Sequence, residues 1–392
     1  MMELAPRMKK IPPYLFAQLD KVREEEQKKG GEIYSLAIGD PVEPTPPELV
    51  EFLAQSARRL ENHRYSPYAG ILPFRKAAAD WYKERFDVSL DPEKEVLTLI
   101  GSKEGIAHIF LAFVGSGDRA LIPDPGYPVY RTAVLMADGE PYSVPLLEKN
   151  DFLPEFGKIP EDIARSSKIL FLCYPNNPTA AVVSLDFLKE AVEYCRKRDI
   201  LLCYDNAYSE ITYDGYVAPS ILQVPHAKEI AVEFNSLSKP YNMTGWRLGY
   251  AVGNQYAIQA LGVVKNNIDS SAFMALQEAG IFALKNGKKW LQKTCDIHKK
   301  RRDLLVETLR SAGLQVRLPK GTFYLWVKVP NHFSSAEFAA FLLKEARVMT
   351  APGTGYGEFG EGYVRFSTTV PDDLLQKACH QIREACREKK LT

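Results

Sequence analysis

The sequence predicts an α/β fold: a mostly parallel sheet with helices on both faces, plus a smaller α+β domain. Two observations predict it. Between residues 96 and 252, short and almost wholly apolar runs alternate with stretches of helical period. That is the pattern of strands buried on both faces between crossover helices. From about Leu314 onward, strand-like runs are instead set among two helices, as in a separate α+β unit. No internal repeat or low-complexity linker interrupts either part.

In chain order, Pro12-Pro13 precede a charged helix, Leu15–Lys29, which Gly30-Gly31 end. Ile33–Ile38 reads as a short strand. Proline and glycine keep GDPVEPTPP, Gly39–Pro47, irregular, and Pro47 opens an amphipathic helix to about Leu60. A loop carrying Tyr65 and Tyr68 beside Gly70 leads into a helix over Leu72–Phe86. Strands are expected at Val96–Ile100, Arg119–Ile122, Ile169–Tyr174, Ile200–Tyr204, Ile230–Phe234 and Leu248–Val252. Helices fall at Gly105–Val114, Val129–Ala137 and Leu185–Lys197. A long helical region, about Ala275 to Ala312, carries basic clusters that read as a solvated face. Strands at Thr322–Val327 and Tyr363–Ser367 belong to the last unit. Residues 1–45 are expected to join 281–392 as a small domain beside a large one of 46–280. Gly355, Gly357 and Gly360 match a dinucleotide fingerprint formally, but they lead into a strand and do not lie between a strand and a helix.

Composition narrows the function. Fifty basic against 49 acidic residues leave a net charge of +1, so no electrostatic footprint for nucleic acid or an anionic membrane is expected. Apolar runs are strand-length, short of the ~20 residues that span a bilayer. The N-terminal stretch has no apolar core before a small-residue cleavage site. Six scattered cysteines without a CxxC pair read as reduced thiols of a cytoplasmic protein. Six histidines without HxxxH or HxH spacing give no metal site.

In parallel α/β sheets, ligands sit beyond the carboxyl ends of the strands. The residues just after each apolar run are therefore informative. After Val96–Ile100 comes Gly101-Ser102-Lys103, opening a helix whose free N–H groups suit a phosphate. After the next run comes PDPGYPVY with Tyr127, then Asn176-Asn177-Pro178, then Asp205 and Tyr208. After Ile230–Phe234 comes SLSKPYNMTGWRLG, with Ser236, Ser238, Lys239 and Arg247. A lysine straight after an apolar strand is poorly solvated; desolvation lowers its pKa and frees an amine to attack a carbonyl. Two serines and an arginine supply phosphate donors. An amine with a phosphate grip describes a site for pyridoxal 5′-phosphate (PLP). Asp205 suits its pyridine nitrogen, Asn177 and Tyr208 its ring oxygen, and Tyr127 its ring face. Arg365, at the start of VRFS, suits a substrate α-carboxylate in bidentate fashion. Taken singly each has a plainer reading: a solvated turn for Lys239 and Arg247, a helix cap for Asp205, a surface strand for Arg365. Five strand ends offering complementary groups argue for the site.

With these residues in view, the chain resembles the class I/II aminotransferases of PLP-dependent transferase fold type I. The likeness runs through IGDP, GSKEG, PDPGYPVY, YPNNPT, YDNAYSE, SLSKPYNMTGWRLGY and VRFS. PPYLFAQLD, NHRYSPYAGILPFR and FNSLSKPYNMTGWRLGYAVGN narrow it to a branch serving lysine biosynthesis. The resemblance implies Lys239 as the catalytic amine, and Ser102, Lys103, Ser236, Ser238 and Arg247 on the phosphate. It implies Tyr65 reaching the cofactor of a neighbouring subunit. It also implies a substrate site of Tyr14, Gly39, Lys103, Tyr127, Asn177, Asn267 and Arg365. Amino acids and keto acids would be the partners, exchanged by a homodimer with shared active sites. Two positions depart from the family pattern: Ala180 stands where glycine is usual, and Asn206 where a small residue is expected.

Overall fold

The computed structural model describes residues 2–28 and 30–389. The last residue of the expected first helix, Lys29, and the final three of the expected small domain lie outside the described residues. The chain opens with α1 (Leu15–Lys28) and a two-residue strand, β1 (Tyr34–Ser35), shorter than Ile33–Ile38 because its one parallel partner is equally short. Helices α2 (Pro47–Ala57) and α3 (Leu72–Phe86) come next, both with proline in the first turn, where no N–H is needed.

The large sheet then alternates with helices: β2 (Val96–Leu99), α4 (Ser102–Phe113), β3 (Arg119–Asp124), α5 (Pro128–Met136), β4 (Glu140–Pro145), α6 (Glu161–Ser166) and β5 (Ser167–Cys173). It continues with α7 (Leu185–Arg196), β6 (Leu201–Asp205), β7 (Ala231–Ser236), β8 (Gly249–Gly253), α8 (Gln255–Asn266) and α9 (Met274–Asn286). The remainder is α10 (Lys288–Ser311), β9 (Gln315–Val316), β10 (Tyr324–Lys328), α11 (Ser335–Ala346), β11 (Val348–Met349), β12 (Ala351–Pro352), β13 (Tyr363–Ser367) and α12 (Asp372–Glu388).

The seven strands stand in the order β2-β8-β7-β6-β5-β3-β4, and only β8 runs antiparallel to its neighbours. Successive side chains of each strand enter opposite cores, as a period of two requires. Leu170 and Leu172 pack with α3, α7 and α9, while Ile169 and Phe171 pack with α4, α5 and α8. Each such fully buried side chain contributes roughly 1.5–3 kcal/mol. The expected helical region from about Ala275 to Ala312 consists of two helices that meet at Gly287. A Cβ at Gly287 would come 2.2 Å from the Tyr241 ring, so the backbone there lies against the lysine loop.

A second, four-stranded antiparallel sheet, β12-β13-β10-β9, packs under α10, α11 and α12. β1 pairs in parallel with β11, which ties the N-terminal segment to this C-terminal unit. The order of the large sheet decides where chemistry can gather. β2, β3, β5, β6 and β7 all end at one edge. Because β8 is antiparallel, its beginning lies at that edge too, and Arg247 is two residues before it.

Candidate active site

At that edge one cavity of about 350 Å³ is lined by Tyr14, Gly39, Ser102, Lys103, Tyr127, Asn177, Asp205, Tyr208, Ser236, Ser238, Lys239 and Arg247. All twelve were singled out in the sequence. A larger cleft, about 720 Å³, lies between Glu148–Leu153 and Arg310–Lys328. Its Arg317 and Lys328 are already paired with Asp151 and Glu148, so size does not mark the site.

Lys239 donates a 3.0 Å hydrogen bond to the carbonyl of Gly39, and its amine lies 5.5 Å from the centre of the Phe323 ring. Burial lowers its pKa to about 8; Asp40 opposes the fall, and Arg247 and Arg365 assist it. Asp205, at the end of β6, has its pKa raised to about 6 by burial, while hydrogen bonds from Tyr130 and the Ala207 N–H pull the other way. Tyr208 and Tyr324 share a 3.0 Å hydrogen bond between their hydroxyls.

The phosphate end is built by close backbone approach. Gly101 has φ +75°, and a Cβ there would lie 2.2 Å from Arg247 Nη2. A Cβ on Gly249 would lie 2.9 Å from the Ser102 nitrogen. Only glycine at both positions lets the α4 start, the β8 start and the guanidinium meet. An anion cradle, an amine, a carboxylate and the aromatic face of Tyr127 in one cavity fit PLP.

Arg365 lies behind this cavity, fully buried. Its Nη1 donates to Asn177 Oδ1 at 2.7 Å, its Nη2 to the Ala37 carbonyl at 2.6 Å, and its Nε has no partner. The guanidinium sits 3.9 Å from the centre of the Tyr324 ring. Tyr65 and Asn267 do not enter the cavity. Tyr65 is 87% exposed, and Asn267 is exposed and donates to the Val263 carbonyl.

Sequence reasoning missed Tyr130 and Tyr324, both of which line the cavity. Tyr130 stands in the PDPGYPVY segment, three residues after Tyr127, one turn into α5. Tyr324 had no local signal, because its strand belongs to the other sheet. The single grouping of metal-type ligands among the described residues is Glu104, His108 and Asp269. The Lys265 ammonium already bonds both carboxylates there.

Residues 32–382 match the model of the aminotransferase class I and II family. The chain belongs to that family, whose members are PLP-dependent enzymes. It is 51% identical to the LL-diaminopimelate aminotransferase of Moorella thermoacetica over 382 residues, covering 97% of this chain and 98% of the relative. It is 50% identical to that of Aquifex aeolicus over 383 residues, covering 98% and 99%. Among solved structures, substrate-bound BacF from Bacillus subtilis superposes with a TM-score of 0.94 at 34% identity, over 98% of both chains.

Proposed function

We propose that this aminotransferase moves an amino group between LL-diaminopimelate and 2-oxoglutarate, serving lysine biosynthesis by running from glutamate toward tetrahydrodipicolinate. The observation that carries the chemistry is Lys239, its pKa lowered to about 8, in one cavity with Asp205 and Arg247. The substrate reading rests on full-length identity of about half to relatives of that name.

When bound, PLP supplies an aldehyde that amines attack and a ring that accepts electrons. Ser102, Ser236, Ser238 and Arg247, which line the same cavity, would hold its phosphate by charge-assisted hydrogen bonds. Lys239 is the amine that would hold the aldehyde. The same amine, when free, would serve as general base at the substrate Cα. In the cofactor-free chain, a pKa of about 8 leaves roughly a tenth of this amine unprotonated at pH 7, ready to meet the aldehyde. Asp205, ionised above about pH 6 in the cofactor-free chain, would keep a proton on the ring nitrogen. Asn177 and Tyr208 would donate to the ring oxygen. Arg365 takes the α-carboxylate, and its partnerless Nε is a donor left for that contact. The two half-reactions use the same groups in opposite directions, giving ping-pong kinetics.

The active form is a homodimer in the cytoplasm. Supporting the dimer, the turn bearing Tyr65 adjoins the 267–273 segment, with the His63 ring 6.5 Å from Phe273. Leu60, Ile268 and Phe273 expose apolar surface there. All six cysteines are free, in keeping with a reducing compartment. The pairing of β1 with β11 supports a small unit of 1–45 with 281–392 beside 46–280.

The test is the visible absorbance of the purified protein, before and after LL-diaminopimelate is added without 2-oxoglutarate. A yellow band that bleaches to the amine form of the cofactor is expected. A band that responds only to aspartate, alanine or an aromatic amino acid would discard the substrate. Release of a thiol or ammonia would make the enzyme a β-lyase.

A further inference from the structure

Lys265 is the most deeply buried ammonium of the α8 face, with only 1% of its side chain exposed. Its Nζ donates to Glu104 Oε1 at 2.9 Å and to Asp269 Oδ1 and Oδ2 at 2.7 and 2.9 Å. Glu104 stands in the first turn of α4, and its other oxygen accepts the Ile100 N–H at 3.0 Å. Asp269 Oδ1 also accepts the Ser271 N–H at 2.7 Å. His108 Nδ1 lies 3.3 Å from Glu104 Oε1 without forming a hydrogen bond. A single buried cation therefore stands between two carboxylates. Each carboxylate grips the backbone of a different loop: residues 100–104 on one side and 269–271 on the other.

Residues 100–104 contain the turn that meets Arg247. Gly101 and Ser102 approach the guanidinium and the start of β8 too closely for any side chain to intervene. Placement of that turn must be held from behind, and Glu104 is the link. Removing the ammonium would leave two carboxylates facing each other near His108 with their charge uncompensated. Glu104 would then turn toward water and release the Ile100 N–H. A small displacement of donors aimed at an anion costs heavily.

Resting on the PLP reading of the cavity, we propose that Lys265 is a positioning residue for the phosphate grip: through Glu104 it fixes the Gly101–Ser102 turn against Arg247, and through Asp269 it couples that turn to the 267–273 segment. It touches neither cofactor nor substrate.

The test compares dissociation constants of the cofactor-free protein for PLP and for pyridoxal, which lacks the phosphate. Wild-type protein is measured first. If it takes up neither, the cofactor reading itself falls. With wild-type uptake in hand, Lys265→Met is expected to weaken PLP binding at least about tenfold while changing pyridoxal binding less than about twofold. Lys265→Arg should recover part of the loss. A general structural role would weaken both ligands alike, and that result, or no change in either, overturns the proposal. Asp269→Asn keeps Lys265 paired with Glu104 and serves if the methionine variant fails to fold. The same asymmetry, about threefold, is expected of it, and equal changes in both ligands overturn the proposal again.

Discussion

The hydroxyl of Tyr130 donates a 2.7 Å hydrogen bond to Oδ2 of Asp205. Both groups are buried, and Tyr130 is pinned by stacking on Phe171, centroids 4.4 Å apart. Asp205 also accepts from the Ala207 N–H, and Cys173 lies opposite it on β5. Burial favours the neutral acid, and the two hydrogen bonds favour the carboxylate.

Tyr130→Phe removes the stronger bond and keeps the ring. A hydrogen bond to a charged group is worth about 1.5–3 kcal/mol, so the Asp205 pKa should rise from about 6 by at least about one pH unit. The acid limb of PLP association with the cofactor-free protein, plotted against pH, should move upward by about that much. An unmoved limb would show that Tyr130 does not support the carboxylate.

Lys239 must be unprotonated to capture the cofactor aldehyde. Its folded-state pKa of about 8 predicts that the rate of cofactor uptake rises with pH through 8 and levels above it. Stopped-flow absorbance measures this. Lys239→Ala should lose both the rise and turnover, while keeping weak binding through the phosphate donors.

Ala180 has φ +58°, in the left-handed region where a Cβ is disfavoured. Ala180→Gly relieves that strain, while the more flexible unfolded chain offsets part of the gain. Denaturant unfolding of the cofactor-free protein should show a gain of up to about 1 kcal/mol. Asn177 and Arg365 keep their contact, so activity should be unchanged.

Glu233 is a fully buried carboxylate with four donors. Tyr82 and Asn206 donate to Oε1 at 2.7 and 2.8 Å, while Ser220 and the Ile221 N–H donate to Oε2 at 2.5 and 3.0 Å. Glu233→Gln would set an NH₂ against two of these donors. A loss of about 2–3 kcal/mol in unfolding free energy is expected. Asn206→Ala should cost less, since Oε1 keeps Tyr82.

The cavity was legible in the sequence because its groups come after apolar runs whose ends a parallel sheet must bring together. Lys239, Asp205 and Ser102 each needed only a strand boundary to be placed. Tyr130 to Asp205 spans 75 residues and Lys265 to Glu104 spans 161. No period or turn signal reports such a pair. Lys265 looks like any surface lysine on an amphipathic helix until α8 is seen packed on α4. Asn206 looked like a departure from pattern and is explained by Glu233, which reads locally as one polar residue in an apolar strand. β4 escaped notice because EPYSVP carries two prolines, tolerated there because the strand is at the sheet edge. Tyr65 and Asn267 remain outside the cavity of a single chain.

The cavity's walls come from positions as far apart as Tyr14 and Tyr324, and they meet only when the strands stand in their final order. Long-range pairings of this kind form late in folding. A half-made chain would lack part of that lining, so the cofactor would bind finished molecules best and add its binding energy to their stability. In a cell short of the vitamin from which the cofactor is made, the empty chains would open more often and meet proteases more often. The amount of this protein, and not only its activity, would then track the vitamin supply.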